Sequence, residues 1–183
     1  MAITESQIIG FAPASIKMAS TVAKYFNEFN EHYQVNTPLR IAAFLSQTAH
    51  ESASFRYTRE IASGDAYEGR KSLGNIFPGD GKKFKGRGYI QITGRNNYTA
   101  LSKSLFGDER LAKDPEIIAT PQYAMISAFW FWNGNNLNKY ADEQYIETIT
   151  KRINGGLNGF QERVNFYNKL CTEFSLPLYK IAS

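Results

Sequence analysis

Cysteine occurs once in 183 residues, at Cys171. That single thiol excludes an intramolecular disulfide and any cysteine-built zinc site, and it fits synthesis in a reducing cytosol. Histidine is nearly as scarce, at His32 and His50 only. No apolar run approaches the roughly 20 residues of a bilayer-spanning helix. Even the Phe129 to Trp132 cluster is cut short by Asn133 and Gly134, so no stable membrane insertion is expected. Met1 to Gly10 carry Glu5 but no Lys or Arg, and thus lack the basic start and apolar stretch of a secretory signal. The expectation is a chain made in the cytoplasm that reaches any external target by another route. Internal repeats and low-complexity tracts are also absent.

What remains is ordinary globular usage, with 43% hydrophobic and 21% charged residues. The length suits a single domain, residues 1–183, able to bury a real core. Formal net charge is +4 and the sequence pI is near 9.1, which favours anionic partners, bacterial wall polymers and nucleic acid alike. The basic patch Lys82-Lys83 and Lys85 beside Phe84 is short and accompanied by no nucleic-acid motif. No nucleic-acid partner is expected.

Thr4-Glu5-Ser6-Gln7 has capping-box spacing, and Ile16, Ala19, Val22, Ala23, Phe26 and Phe29 recur at helical intervals. Thr37-Pro38 is a strong helix start, followed by Ile41, Phe44, Leu45, Thr48 and Ala49 on one stripe that ends near Glu51. Between Ser52 and Arg87 the periodicity dissolves, with Pro78-Gly79-Asp80-Gly81 as the clearest turn. Such a stretch predicts a long surface loop with short helical or extended pieces. Further helices are predicted over 96–105, 121–132, 142–153 and from Asn158 or Gly159 to Phe174. Alternation is confined to a few residues near Tyr89 to Thr93, so the fold class is mainly α with at most a small β element.

Glu51 is hard to explain as packing or solubility. It lies in the last turn of its predicted helix, where the negative end of the macrodipole disfavours a carboxylate. At about 100° per residue it falls roughly 20° from Phe44, on the apolar face, with Gln47 roughly 40° away. A carboxyl placed there tends to keep its proton, as a general acid must.

Other chemistries lack their parts. His50-Glu51 is followed by Ser52-Ala53-Ser54-Phe55, with no second histidine one turn on, so no metal site is expected. Gly86-Arg87-Gly88 lacks the rest of a phosphate-binding glycine loop, and no Gly-x-Ser-x-Gly elbow exists. Paired carboxylates remain, and they are the chemistry of glycosidic-bond hydrolysis, where one protonates the leaving oxygen and the other activates water or attacks. The loop offers Glu60, Asp65 and Glu68. Within Phe55-Arg56-Tyr57-Thr58-Arg59-Glu60, neighbouring arginines favour the ionised form that a base requires.

Several segments together are similar to glycoside hydrolase family 19, which comprises chitinases and related phage endolysins. Phe44 to Ser52 resembles the helix end carrying that family's acid. Lys85-Gly86-Arg87-Gly88-Tyr89-Ile90-Gln91-Ile92-Thr93 resembles its glycine-arginine-glycine signature, and Ile153-Asn154-Gly155-Gly156 with Arg163-Val164-Asn165-Phe166-Tyr167 its C-terminal motifs. The matches run in order from about residue 37 to 171. Tyr57 to Glu60, Ala66 to Arg70 and Leu73-Gly74-Asn75 look most like the short endolysin-type members. The lone cysteine and the short interval to Glu60 depart from the plant pattern.

The resemblance implies a lysozyme-like two-lobed helical domain with a small β element and a cleft between the helical body and residues 52–93. It implies Glu51 as acid and Glu60 as base, with Glu68 in reserve. Gln91 and Thr93 would hold water or substrate, Asn97, Tyr98 and Asn154 would line the sugar groove, and Arg163 would tune a catalytic carboxylate. No cofactor is implied. The implied reaction is inverting endo-hydrolysis of β-1,4 bonds in peptidoglycan, or second in chitin, by a monomer that reaches the wall after holin-like release. The rival from another class is a catalytically inactive wall-binding module.

Overall fold

In the computed structural model, which describes residues 1–181, threonine starts two of the framing helices. Thr4 accepts from the Gln7 amide at 3.2 Å while the Gln7 side chain accepts from the Thr4 amide at 2.9 Å, capping α1 (Glu5–Phe11) reciprocally. After a 3₁₀ turn at Pro13–Ser15 comes α2 (Ala19–Phe29), whose apolar stripe begins later than the first periodic residue, Ile16. Thr37 then accepts from the Arg40 amide at 3.4 Å and Pro38 occupies the first turn of α3 (Pro38–Glu51).

Helix α3 is the axis of the molecule. Ile41 through Ala49 are all buried, more than one stripe's worth, because other helices cover it on several sides. They are α8 (Asn138–Asp142) and α10 (Phe160–Glu173), with α7 (Pro121–Gly134) reaching its aromatic face. The α7 sequence is apolar nearly all round and is buried accordingly. Phe44 stacks on Phe129 at 4.4 Å between centroids, Phe26 approaches both, and Trp132 meets Phe44 edge-on at 5.3 Å. Each ring so buried contributes about 1.5–3 kcal/mol by removal from water. The Trp132 indole N–H donates to Asn138 Oδ1 at 2.8 Å, so its polar end is not stranded. Cys171 is buried in α10, where burial pushes its thiol up; it packs rather than reacts.

Residues 52–94 form the second lobe, with 3₁₀ turns at Asp65–Tyr67 and Lys71–Leu73 and a short α4 (Asp80–Lys83). Few of its side chains are apolar and buried, so polar staples hold it. Asp80 accepts from the Ile76 and Phe77 amides at 3.1 Å and from Arg95 Nε at 2.9 Å and Nη2 at 2.5 Å. That pair anchors the lobe to α5 (Arg95–Phe106). Buried Arg87 ties the lobe to the body through Glu116 Oε1, at 2.9 and 2.7 Å, and the Tyr98 hydroxyl at 2.9 Å. Expected β structure reduces to two isolated bridges, Arg59 with Arg87 and Arg87 with Ile92.

One expectation needs correction, and one segment was not foreseen. The single helix over 142–153 is broken: α8 ends at Asp142, Gln144 adopts the left-handed region at φ 55°, and α9 (Ile146–Asn154) starts afresh. The turn lets Ala141 and Ile146 both reach the core. Between α5 and α7, α6 (Arg110–Lys113) and a 3₁₀ turn at Pro115–Ala119 carry Leu111 and Ile118 inward; both are too short for periodicity to announce. Among the described residues, no helix is long and apolar enough to cross a membrane.

The Asp80 staple has a pH signature. Its hydrogen bonds to Arg95 hold the carboxyl below the usual range against the opposing effect of burial. A depressed folded-state value contributes stability that is present above the unfolded value, about 3.9, and is lost as pH falls through the folded one. Asp80→Asn is therefore expected to cost about 2 kcal/mol at pH 7. In urea melts its gap to wild type should close below pH 4; a constant gap would reject the assignment.

Candidate active site

Helix α3 delivers Glu51 at its last turn, and the chain then reverses at once. Ala53, Ser54 and Phe55 all lie in the left-handed region, at φ 49°, 62° and 63°, a conformation costing roughly 1–2 kcal/mol per L-residue. Burial of Phe55 between Phe11 and Tyr89 offsets that strain. Further support comes from the Ser52 hydroxyl, which donates to Thr48 O at 2.6 Å and accepts from the Phe55 amide at 2.9 Å. The reversal folds residues 57–62 back beside the helix end. A cleft of about 330 Å³ results, lined by His50, Glu51, Tyr57, Arg59, Glu60 and Gln91 among others.

Arg163, from α10, is almost completely buried and donates Nη2 to Glu51 Oε1. Its Nη1 donates to Gln47 Oε1 at 2.7 Å, and Gln47 in turn donates to Thr150 at 3.1 Å. The Glu51 carboxyl is thus not left bare against the helix dipole, as its own helix implies. A guanidinium from elsewhere in the chain supplies the missing cation. Among the described residues Glu51 Oε2 has no hydrogen-bond partner, leaving it to the cleft.

Glu60 is held differently from expectation. Arg59 turns to Glu116 at 2.5 Å and Arg56 to the Ala53 carbonyl at 2.8 Å, so neither neighbouring arginine contacts it. Instead the Tyr67 hydroxyl donates to Oε1 and the Gly86 amide to Oε2, both at 3.0 Å. Burial, together with the Glu60 carboxylate, raises the Tyr67 phenol, so it keeps the proton it donates. Gly86 leaves room for this approach: a Cβ there would lie 2.6 Å from Gln91 Oε1 and 3.2 Å from Glu60 Oε2. Gln91, at φ 56°, donates to the Gly88 carbonyl at 3.0 Å and lines the same cleft.

The remaining candidates separate. The Thr93 hydroxyl donates to the Gln91 carbonyl at 2.9 Å, and the exposed Asn97 amide to Thr93 O at 2.8 Å. Asn154 ends α9, its amide 3.5 Å from Asn158 O. Glu68 is engaged outside the cleft lining, accepting from the Gly79 and Gly81 amides at 2.7 and 2.8 Å. Tyr98 needs correction: its ring is fully buried against Phe84 and cannot face a sugar, and its hydroxyl donates to Lys85 O at 2.6 Å. Burial pushes that phenol up to about 12. Tyr67 and Gly86 went unnoticed as partners of Glu60, since an aperiodic loop carries no signal of what it folds against. Among the described residues, no three His, Cys, Asp or Glu side chains converge as a metal site would require.

Residues 13–149 match the family model described as Chitinase class I. The chain belongs to this family, glycoside hydrolase family 19. A family 19 domain-containing protein of Haemophilus influenzae is 34% identical over 161 residues, covering 70% of this chain and 77% of that protein. An endochitinase of Arabidopsis thaliana is 42% identical over 139 residues, covering 72% of this chain and 46% of the plant protein. The chain spans about half the length of such plant relatives. Chitinase C from Streptomyces griseus superposes with a TM-score of 0.77 at 20% identity, covering 98% of this chain and 95% of that one. The lysozyme-like family 19 fold thus extends over nearly the whole chain. Glu51, Glu60 and Gln91 lie within the family match, whereas Asn154 and Arg163 lie beyond it.

Proposed function

We propose that this family 19 chain is an endo-acting glycoside hydrolase that cleaves β-1,4 bonds of N-acetylated aminosugar polymers with inversion. The observation that carries the reading is a single cleft lined by two carboxylates in unlike settings, Glu51 beside an arginine with one oxygen free and Glu60 held by a phenol and an amide. In this reading Glu51 protonates the leaving oxygen, Glu60 takes a proton from the attacking water, and Gln91 orients that water or the substrate. Room for water between the carboxyls, about 6.5–9.5 Å, is the requirement for inversion. Tyr57, 44% exposed on the cleft wall, offers a ring face to a sugar.

Peptidoglycan is the substrate proposed first, on the endolysin-type segments in residues 57–75 and the net charge of +4. The protein would act as a monomer on the wall after release across the inner membrane. Chitin is the second reading, favoured by relatives named as endochitinases. The test incubates the protein with purified sacculi and with soluble chitin oligomers, then follows reducing ends and the anomer of fresh product by NMR. New α-anomer from either polymer is expected. A β-anomer would refute inversion, and no product from either would refute the hydrolase reading.

A further inference from the structure

Arg163 is not alone in joining the two helices that meet at Glu51. One residue earlier on each, the His50 imidazole donates through Nδ1 to Glu162 Oε2 at 2.5 Å. Helices α3 and α10 are therefore bridged twice, His50 to Glu162 and Glu51 to Arg163. Consecutive helical residues point about 100° apart. A single bridge would leave the end of α3 free to turn about that contact, whereas two bridges at different azimuths fix it.

The two bridges also sit differently against the helix ends. His50 sits in the last turn of α3 and Glu162 in the first turn of α10, the ends that favour a cation and an anion respectively. Glu51 and Arg163 carry the reverse charges at the same two ends. Glu162 thus suits its helix end, whereas Glu51 and Arg163 rely on each other. Gly159, at φ 70° just before α10, makes the fit possible: a Cβ there would fall 2.0 Å from His50 Cε1. The imidazole is pressed on the backbone of that turn, and a side chain at 159 would displace it.

We infer that His50 and Glu162 form a positioning pair, which acts through Glu51 by setting the direction of its carboxyl in the cleft. The inference rests on the proposed role of Glu51 as acid. Glu162 lies outside the cleft lining that His50 shares, so breaking the pair from its side leaves the cleft wall in place but lets the acid wander, and a displacement near 1 Å can cost about 100-fold in rate. The loss should therefore appear in kcat and not in KM.

The test measures kcat and KM for wild type, His50→Gln, Glu162→Gln, the double variant and Glu162→Asp. The substrate is a soluble β-1,4-linked N-acetylglucosamine oligomer, or soluble glycan strands from sacculi if only those are cleaved. Each variant is first melted to show that it is folded at the assay temperature. Both single variants should lose about 10- to 100-fold in kcat, Glu162→Gln with KM within about twofold, and the double variant no more than the worse single one. Glu162→Asp should recover part of the loss. Wild-type kcat in both folded single variants, or a loss confined to KM, would overturn the inference. Glu51→Gln run alongside separates the failures: if it is inactive while the pair variants are unimpaired, only the pairing is wrong. If it retains turnover, the acid assignment fails and the inference with it.

Discussion

Glu51→Gln is expected to lose turnover by on the order of 10³-fold or more while remaining folded. The amide keeps the size of the side chain and an oxygen that can still accept from Arg163 Nη2. What it cannot do is release a proton to the leaving oxygen, and general acid catalysis alone is worth about 10²- to 10⁴-fold. Gln47, Thr150 and Asn158 are untouched, so the rest of the arginine's network survives. The check is reducing-sugar release from the cleaved polymer, with thermal melting in parallel. Substantial turnover by a well-folded variant would remove Glu51 as the acid. Normal melting with no turnover would separate its chemistry from its structural contact.

Arg163→Met is expected to damage stability as well as activity. The guanidinium is 1% exposed and serves three acceptors: Glu51, Gln47 Oε1 and the Asn158 carbonyl. Methionine fills much of the space and supplies no donor. Removing one member of a buried pair typically costs about 3–5 kcal/mol. Glu51 keeps some access to water, with 18% of its side chain exposed, so the lower end applies, about 3 kcal/mol. For a chain of this size that lowers Tm by roughly 6–12 °C. The carboxyl, freed of its partner, should also lose its orientation, so kcat should fall even well below the new Tm. A variant melting like wild type would mean that water replaces the guanidinium without loss.

How much was legible in the sequence depends on whether the signal was local. Helix α3 was readable closely, because Thr37 caps it, Pro38 opens it and its apolar stripe ends near Glu51. The anomaly of Glu51 was readable for the same reason, being a conflict within one helix. Its resolution was not, because Arg163 arrives from 112 residues away and only the family resemblance pointed to it. Glu60 was nominated on the arginines beside it in sequence, yet Tyr67 and Gly86 hold it. In a loop, adjacency along the chain says little about which groups face one another. Tyr98 misled in the opposite way: its place in a family motif suggested the groove, while its helix turns the ring into the core. The break at Gln144 carried no glycine to mark it.

The cleft draws its two carboxylates from regions of unequal permanence. Glu51 belongs to α3, where Ile41 through Ala49 are all buried, and core helices of that kind open only near the global free energy. Glu60 belongs to residues 52–94, held by polar staples over little apolar area, and such units open on their own at a fraction of the global free energy. On the proposed function, the competent form is the one in which the smaller unit is docked. A sugar chain that touched both regions would, on that proposed function, bind the docked form preferentially and raise its share by mass action. In that sense the proposed polymer would serve as a packing layer for the second lobe.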